Sequence, residues 1–170
     1  FVNCEKVIQI DPEPSTDVPL TVKTIIGLDS NDVVTGSEGD DILLAGNNDD
    51  QVFGKSRNDY VDGQTGDDDV HGDNGDDNVQ GRDGNDTLDG GNGNDYVMGG
   101  DDSDTLNGGP GNDTLDGNLG PDTLDGGDGD DTLNAVGGDR DKVTCGAGYD
   151  IVYADLDDDI DSQSCERIRY

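Results

Sequence analysis

The sequence predicts an all-β solenoid, in which strands from a nine-residue repeat stack into parallel sheets. An aspartate recurs every nine residues from Asp32 to Asp131, and Asp141 and Asp150 continue the series after one extra residue. Two residues after each of these fourteen aspartates stands a Val or a Leu, although only 28% of the chain is hydrophobic. Composition bias does not place aliphatic residues in register, so the period indicates a repeated structural unit.

The unit has the form G-x-x-G-x-D-x-(V/L)-x. Glycine stands five residues before the aspartate in eleven of the fourteen repeats and two residues before it in nine. The first six residues, rich in Gly, Asn and Asp, are typical of a tight turn with positive φ angles. The last three residues suffice only for a very short strand with its aliphatic side chain on one face. We therefore expect six-residue turns joined by three-residue strands.

A single unit of this kind buries almost no apolar surface, so the units must stack. Two units per coil give an 18-residue rung in which Val and Leu from both sides meet inside, and the fourteen units make about seven rungs. The interior is then one thin aliphatic column. The apolar area that this column buries is too small to offset the conformational entropy lost when the chain is ordered, so the fold needs another source of stability.

Cations are the predicted source of that stability. The chain carries 42 acidic and 9 basic residues, for a net charge of -33. Stacking brings aspartates 18 residues apart together, and these carboxylates repel one another unless a counter-ion lies between them. With turn carbonyls they offer an all-oxygen cage, which suits Ca²⁺ better than Mg²⁺ and does not suit Zn²⁺. We predict up to about ten Ca²⁺ ions, bound as the chain folds. The predicted ligands are the repeat aspartates: Asp32, Asp41, Asp50, Asp59, Asp68, Asp77, Asp86, Asp95, Asp104, Asp113, Asp122, Asp131, Asp141 and Asp150.

The repeat resembles the nonapeptide of the RTX (repeats-in-toxin) family, and residues 108–116 show it whole as GGPGNDTLD. The resemblance covers about residues 27 to 153. It implies a right-handed parallel β-roll with two rows of Ca²⁺ held by aspartates and turn carbonyls. The implied carbonyls lie around the glycines of the most regular stretch: Gly63, Gly66, Gly72, Gly75, Gly81, Gly84, Gly90, Gly93, Gly108, Gly111, Gly117, Gly120, Gly126 and Gly129.

The C-terminal residues resemble the closing segment of many secreted bacterial RTX-like proteins. That resemblance implies a Cys145–Cys165 disulfide, which would pin a terminal strand over the last rung. At the other end, the residue types of 3–7 (NCEKV) match those of 164–168 (SCERI). We interpret residues 1–10 as a detached terminal strand resembling the tail of a preceding module, 11–20 as a proline-rich linker, 21–153 as the roll and 154–170 as its cap.

The remaining cysteine, Cys4, has two interpretations. It forms an intermolecular disulfide, with an adjacent upstream module or with a further copy of the chain in a head-to-tail homopolymer. Alternatively, it is a free and incidental thiol. Cysteines that pair favour an oxidising compartment, so we expect a secreted, extracellular or cell-surface protein.

Several function classes are disfavoured by the sequence. A polyanion repels nucleic acid, and no apolar run approaches the ~20 residues that span a bilayer. The single histidine, His71, takes an outward strand position and no nucleophile is paired with it, so we do not expect an enzyme. Two functions remain. One is an extracellular calcium-binding structural protein that builds a surface layer, matrix or filament by head-to-tail assembly. The other is a calcium-dependent spacer or folding module of a larger secreted adhesin or enzyme.

Overall fold

The computed structural model describes residues 7–8, 23–137 and 139–170, the first pair as backbone only. Over this part of the chain the protein is all-β, with no helix. Its strands are β1 (Val7–Ile8), β2 (Lys23–Ile26), β3 (Val33–Thr35), β4 (Asp41–Asn47), β5 (Gln51–Ser56), β6 (Tyr60–Thr65), β7 (Asp69–Asn74), β8 (Asn78–Asp83), β9 (Thr87–Asp89), β10 (Tyr96–Asp101), β11 (Thr105–Pro110), β12 (Thr114–Leu119), β13 (Thr123–Asp128), β14 (Thr132–Ala135), β15 (Lys142–Ala147), β16 (Ile151–Ala154), β17 (Asp159–Ile160) and β18 (Arg167–Arg169).

Successive strands alternate between two parallel sheets. The odd sheet contains the nine odd-numbered strands in chain order, and the even sheet contains the nine even-numbered strands. One odd strand and the even strand after it make one turn, and the eight such pairs from β3 to β18 form a parallel β-solenoid of about 8 turns, which confirms the predicted fold class. The solenoid exceeds the expected seven rungs because β17 and β18 follow the last repeat, and β1 and β2 precede the first one.

Neighbouring strands in a sheet pair residues 18 positions apart, as Val97 with Leu115. After the one-residue insertion the offset becomes 19, as Leu124 with Val143. The extra residue therefore falls in the connection between β14 and β15, and the aliphatic column keeps its alignment.

The core is the predicted aliphatic column. All fourteen repeat Val and Leu side chains lie between the sheets and are at most 1% exposed. Ile25 of β2 extends the column by one residue before the first repeat, while Ile160 and Ile168 pack partly buried at its far end. Aliphatic residues of the flanking strands thus continue the core beyond the repeats.

The strand lengths differ from the expectation. Nine of the eighteen described strands have six residues, such as Thr114–Leu119, and only about three residues then remain for each turn. Each strand runs on through the glycine-rich half of the repeat, so that Gly100 pairs with Asn118. Adjacent rungs have the same backbone conformation at these positions. The N–H and C=O groups of one rung therefore still face those of the next, even where φ is positive. Gln64 and Arg82 adopt φ angles of 80° and 87° four residues before their aspartates while remaining paired within the even sheet.

Both ends of the roll carry additional strands. At the N-terminal end, β1 pairs with β3 and β2 pairs with β4. At the other end, Ile160 pairs with Val143 and Ile168 with Val152. The proposed linker at 11–20, the rest of the segment 1–10 and Cys4 lie outside the described residues.

Candidate metal centre

The repeat aspartates stand at or just before the first residue of a strand, with their side chains buried in the solenoid. None of the fourteen is more than 3% exposed. They form two columns, one along each sheet. The odd ladder leads into β3 to β15 and contains Asp32, Asp50, Asp68, Asp86, Asp104, Asp122 and Asp141. The even ladder leads into β4 to β16 and contains Asp41, Asp59, Asp77, Asp95, Asp113, Asp131 and Asp150.

Each ladder is held by side chain to main chain hydrogen bonds between rungs. The amide N–H of Asp77 donates to Oδ1 of Asp95, and the N–H of Asp95 donates to Oδ1 of Asp113, both at 2.8 Å. The same bond joins every consecutive pair within each ladder, at 2.7–2.9 Å. The ladders therefore have a direction, because each carboxylate binds the amide of the rung before it.

In eleven of the fourteen carboxylates, the second oxygen has no protein partner. Eleven Oδ2 atoms are buried without a hydrogen bond, those of Asp50, Asp59, Asp68, Asp77, Asp86, Asp95, Asp104, Asp113, Asp122, Asp131 and Asp150. A buried polar atom without a partner costs about 1–3 kcal/mol, and more if it is charged. Such a column of unpaired oxygens is a set of ligand positions for hard cations.

Where glycine stands five residues before the aspartate, it makes room for this oxygen. A methyl group built on Gly72 would lie 2.6 Å from Oδ2 of Asp77 and 2.5 Å from the carbonyl oxygen of Gly90. Oδ2 is crowded in the same way at the other predicted glycines of this position, Gly63, Gly81, Gly90, Gly108, Gly117 and Gly126. At Gly90, Gly108 and Gly126 the methyl group would also crowd the carbonyl oxygen of the next rung. At these positions glycine leaves space beside the carboxylate, whereas Ala45 and Cys145 stand at the equivalent position before Asp50 and Asp150.

The glycine two residues before the aspartate is required by conformation. Gly75, Gly93 and Gly111 have φ angles of 149°, 145° and 152°, in a region that L side chains rarely adopt. Their turns also stack closely, since a methyl group on any of them would overlap the carbonyl oxygen one rung before. The remaining predicted glycines of this type, Gly66, Gly84, Gly120 and Gly129, share the positive φ.

Burial perturbs the ionisation of the ladder. It raises the pKa of Asp95 to about 6, an effect that the hydrogen bond from the Asp77 amide only partly offsets. Burial likewise raises the pKa of Asp59, Asp77 and Asp104 to about 7, and that of Asp50, Asp68, Asp86, Asp113, Asp122, Asp131 and Asp141 to about 6. Neighbouring carboxylates raise these values further. The column thus favours a bound positive charge, either a proton or a cation.

A second, exposed ladder runs in the opposite direction beside the first. The N–H of Asn85 donates to Oδ1 of Asp67 one rung earlier, at 2.8 Å, and Asn94 donates to Asp76 in the same way at 2.9 Å. The Asn85 amide and side chain lower the pKa of Asp67, whereas burial raises that of its neighbour Asp68 to about 6. Adjacent carboxylates in one turn therefore have different roles, and the inward one is the candidate ligand.

Sequence reasoning missed the last member of each ladder. The N–H of Asp141 donates to Oδ1 of Asp158, and that of Asp150 donates to Oε2 of Glu166, both at 3.0 Å. Asp158 directly precedes β17 and Glu166 directly precedes β18, as the repeat aspartates precede their strands. Their spacings of 17 and 16 residues break the period, so only the strand register reveals them.

The donors present fit a calcium ion. Oxygen is the only element offered, and the buried Oδ2 atoms need an electropositive partner. Among the described residues, no three His, Cys, Asp or Glu side chains converge on one metal position. The carboxylates would therefore hold Ca²⁺ together with backbone carbonyls of the turns, and the ion would supply charge neutralisation and cross-links between rungs. The aspartates are the part of this ligand set that the structure brings together.

The predicted closing disulfide is present. Cys145 and Cys165 are bonded with a Cα–Cα distance of 5.2 Å, and Cys145 is buried in the core. The amide of Cys145 also donates to Oγ of Ser164 at 3.1 Å. These contacts attach the segment before β18 to the last repeat.

Comparison with protein families identifies the repeat. A family model for the RTX calcium-binding nonapeptide repeat matches four copies, at residues 24–52, 44–79, 71–106 and 107–141. These matches cover more than half of the chain, so the protein belongs to the RTX calcium-binding nonapeptide repeat family. The comparison with curated proteins gives no match.

Family membership indicates a calcium-binding structural module. RTX repeat rolls are generally non-catalytic, and such repeats occur in secreted proteins. His71 lies on the outer face of the odd sheet, stacked on Phe53 at 5.1 Å between ring centroids, with Nε2 3.0 Å from Oδ1 of Asp69. A helix of the length and apolar character needed to cross a membrane is absent from the described residues.

Proposed function

We propose that this protein is an extracellular calcium-binding structural protein whose roll folds when Ca²⁺ binds. The observation that carries the proposal is the set of eleven buried Oδ2 atoms without a hydrogen-bond partner, which lie along the two ladders. A cation between rungs would satisfy these oxygens and join successive turns. Up to about ten ions would fit the pairs of stacked aspartates, and they would neutralise much of the net charge of -33.

Coupled folding and binding follows from this arrangement. The aliphatic column is one side chain wide from each sheet, and the ladder carboxylates beside it repel one another when they are ionised and metal-free. Calcium removes the repulsion and adds bonds between rungs, so its binding energy becomes folding energy. Sedimentation velocity during a Ca²⁺ titration tests the proposal: the chain should contract as calcium is added. An unchanged sedimentation coefficient from chelator to millimolar Ca²⁺ would refute it.

We further propose that folded rolls assemble head to tail into a surface layer, matrix or filament. Two features support this. Both sheets end on short strands, Asp159–Ile160 and Arg167–Arg169, that are paired on one side only. Residues 140–170 also carry four of the nine basic residues of the chain, Arg140, Lys142, Arg167 and Arg169, against eight acidic ones. This end therefore carries less net negative charge per residue than the rest of the chain, which lowers its repulsion from a further copy.

The same titration tests the assembly. Growth into long species at saturating calcium supports it, and a compact monomer at all concentrations contradicts it. A Cys4→Ser variant separates a disulfide-linked polymer, which this substitution abolishes, from a non-covalent one, which it leaves intact.

The alternative is a calcium-dependent spacer or folding module within a larger secreted adhesin or enzyme. The constant 18-residue offset of the paired strands from β2 to β14 favours it, because such a rod sets a fixed distance between its ends. A compact calcium-loaded monomer would favour this alternative over assembly.

A further inference from the structure

The two ladders end differently at the C-terminal end of the roll. In the odd ladder, Asp158 receives the Asp141 amide on Oδ1 and the Asp155 amide on Oδ2, at 3.0 and 2.7 Å. Both oxygens of that last carboxylate are therefore used by backbone N–H groups. The protein itself therefore supplies hydrogen-bond donors to both oxygens at the end of the odd ladder, which we call closed.

The last repeat aspartate of the even ladder has an oxygen that the protein does not satisfy, whereas Oδ2 of Asp141, its counterpart in the odd ladder, is not among the buried atoms without a partner. Asp150 is 0% exposed, its Oδ1 accepts the Asp131 amide at 2.8 Å, and its Oδ2 is buried without a partner. The next carboxylate is Glu166, whose Oε2 accepts the Asp150 amide at 3.0 Å. Two carboxylates thus meet at the last rung around an unpaired buried oxygen, as they do at each rung in the middle of the ladder.

Glu166 is held in this place by the segment around the disulfide. Its neighbour Cys165 is bonded to Cys145, and its other neighbour Arg167 donates its amide to the carbonyl oxygen of Asp150 at 3.1 Å. The chain reaches this position only 16 residues after Asp150, outside the period of the repeat. The longer side chain of glutamate is compatible with this shorter connection from Asp150.

We propose that Asp150 and Glu166 form an additional calcium site at the end of the even ladder, and that the Cys145–Cys165 disulfide positions Glu166 for it. The inference rests on the proposed calcium-dependent function. Asp150 belongs to the last nonapeptide repeat, whereas Glu166, the second carboxylate of the site, comes from the C-terminal cap. Because Glu166 is exposed, the ion bound here meets solvent and exchanges more readily than ions in the middle of the roll.

Within the part of the chain that the structure describes, no Lys, Arg or His forms an ion pair with Asp150 or Glu166. Burial raises the pKa of Asp150, and the nearby charge of Glu166 adds to that increase. The basic residue next to Glu166 in sequence is Arg167, which occupies an outward strand position. Two carboxylates at the end of a buried column therefore remain to be neutralised.

Native mass spectrometry of the full chain at saturating Ca²⁺ counts bound ions one by one and tests the site. Glu166→Gln keeps an oxygen that can accept the Asp150 amide but removes the charge, and it should bind one ion fewer than the wild type. Asp158→Asn, the matched change on the closed odd ladder, should leave the count unchanged. The double variant Cys145→Ala, Cys165→Ala should also lose one ion.

An unchanged number of bound ions in Glu166→Gln would overturn the proposal. The loss of several ions would also overturn it, because Glu166 would then stabilise the whole roll instead of binding one ion. A full count in the cysteine variant would overturn the part assigned to the disulfide. An anomalous difference map from wild-type crystals grown in calcium gives an independent answer: a peak between Asp150 and Glu166 supports the site, and peaks confined to the remaining rungs refute it. A wild type that binds no calcium at all would refute the proposed function itself.

Discussion

The amide of Asp77 donates to Oδ1 of Asp95 across 2.8 Å, while Oδ2 of Asp95 is buried without a partner. One oxygen of the carboxylate thus builds the ladder and the other is left for a ligand. The two carboxylate oxygens have these separate roles along both sheets, so the aspartates both hold neighbouring rungs together and offer ligands to cations. The stability of the roll should therefore depend on what occupies the second oxygen.

Asp95→Asn should have opposite effects with and without calcium. The asparagine keeps an oxygen for the Asp77 amide but removes a buried charge. In chelator the variant should be more ordered than the wild type, whereas at saturating Ca²⁺ it should lose an ion and about 1–3 kcal/mol of unfolding free energy. Thermal unfolding followed by circular dichroism under both conditions measures this.

Asp101→Asn is the control for that experiment. Asp101 lies on the same strand, β10, but is exposed and outside the ladder. It should change stability by less than about 0.5 kcal/mol in either condition. Equal destabilisation by Asp95→Asn with and without calcium would contradict the ligand role of Asp95.

The pH dependence should also reverse with calcium. Burial raises the pKa of the ladder carboxyls from 3.8 to about 6 or 7. The metal-free folded state therefore binds protons more tightly than the unfolded chain. The stability that these groups contribute is full below their unfolded pKa and is lost as the pH rises through about 6 to 7. Metal-stripped protein should gain β-structure as the pH falls from about 8 to about 5.

With calcium present, protons and ions compete for the same carboxylates. The calcium concentration needed for half-maximal folding should therefore rise as the pH is lowered through about 7. Circular dichroism titrations at a series of pH values measure both trends. A calcium midpoint that does not move with pH would be inconsistent with ligation by these groups.

Substitutions to and from glycine should distinguish positions where glycine is favoured by lack of space from positions where it is favoured by a positive φ angle. Gly72→Ala places a methyl group 2.6 Å from Oδ2 of Asp77 and 2.5 Å from the Gly90 carbonyl oxygen, and should cost about 1–3 kcal/mol. Gln64→Gly relieves a side chain at a φ of 80° and should stabilise the roll by up to about 1 kcal/mol. Chemical denaturation in saturating calcium compares the two variants. Stabilisation by Gly72→Ala would show that the inward position has spare room.

An ion pair on the outer face of the even sheet should matter independently of calcium. Arg82 donates from Nε and Nη2 to the two oxygens of Asp62, both at 2.6 Å, and Asp62 is only 2% exposed. Arg82→Gln should cost about 1–3 kcal/mol because it leaves a buried carboxylate without its cation, with the Tyr60 hydroxyl still donating to Oδ2. Adding Asp62→Asn should recover part of that loss. A double variant less stable than the sum of the two single changes would contradict this explanation.

Periodicity was sufficient to predict the solenoid, its inward Val and Leu column and its aspartates, because each of these recurs at a fixed offset. It gave the wrong strand length. Glycine is a poor strand former when considered alone, but here each glycine lies opposite an equivalent position of the next rung. The pairing of Gly109 with Gly127 continues the ladder of backbone hydrogen bonds through the glycine pair.

The features that the sequence did not reveal are those outside the period. Asp158 and Glu166 follow their ladder neighbours by 17 and 16 residues, so their register becomes visible only when β17 and β18 are placed. Asp62 and Arg82, 20 residues apart, read as ordinary solvated charges at outward positions. Their pairing depends on strand neighbours and side-chain length, which a linear spacing does not convey.

Hydrogen exchange of the ladder amides is the most direct test of the central claim that a cation on the second carboxylate oxygen makes the roll fold. The amides of Asp77, Asp95 and Asp113 each donate to the carboxylate of the following rung. At neutral pH they should exchange at the rate of an unfolded chain in chelator and be strongly protected in saturating Ca²⁺. Equal protection under both conditions would contradict the account, because the ladder would then be stable without the ion.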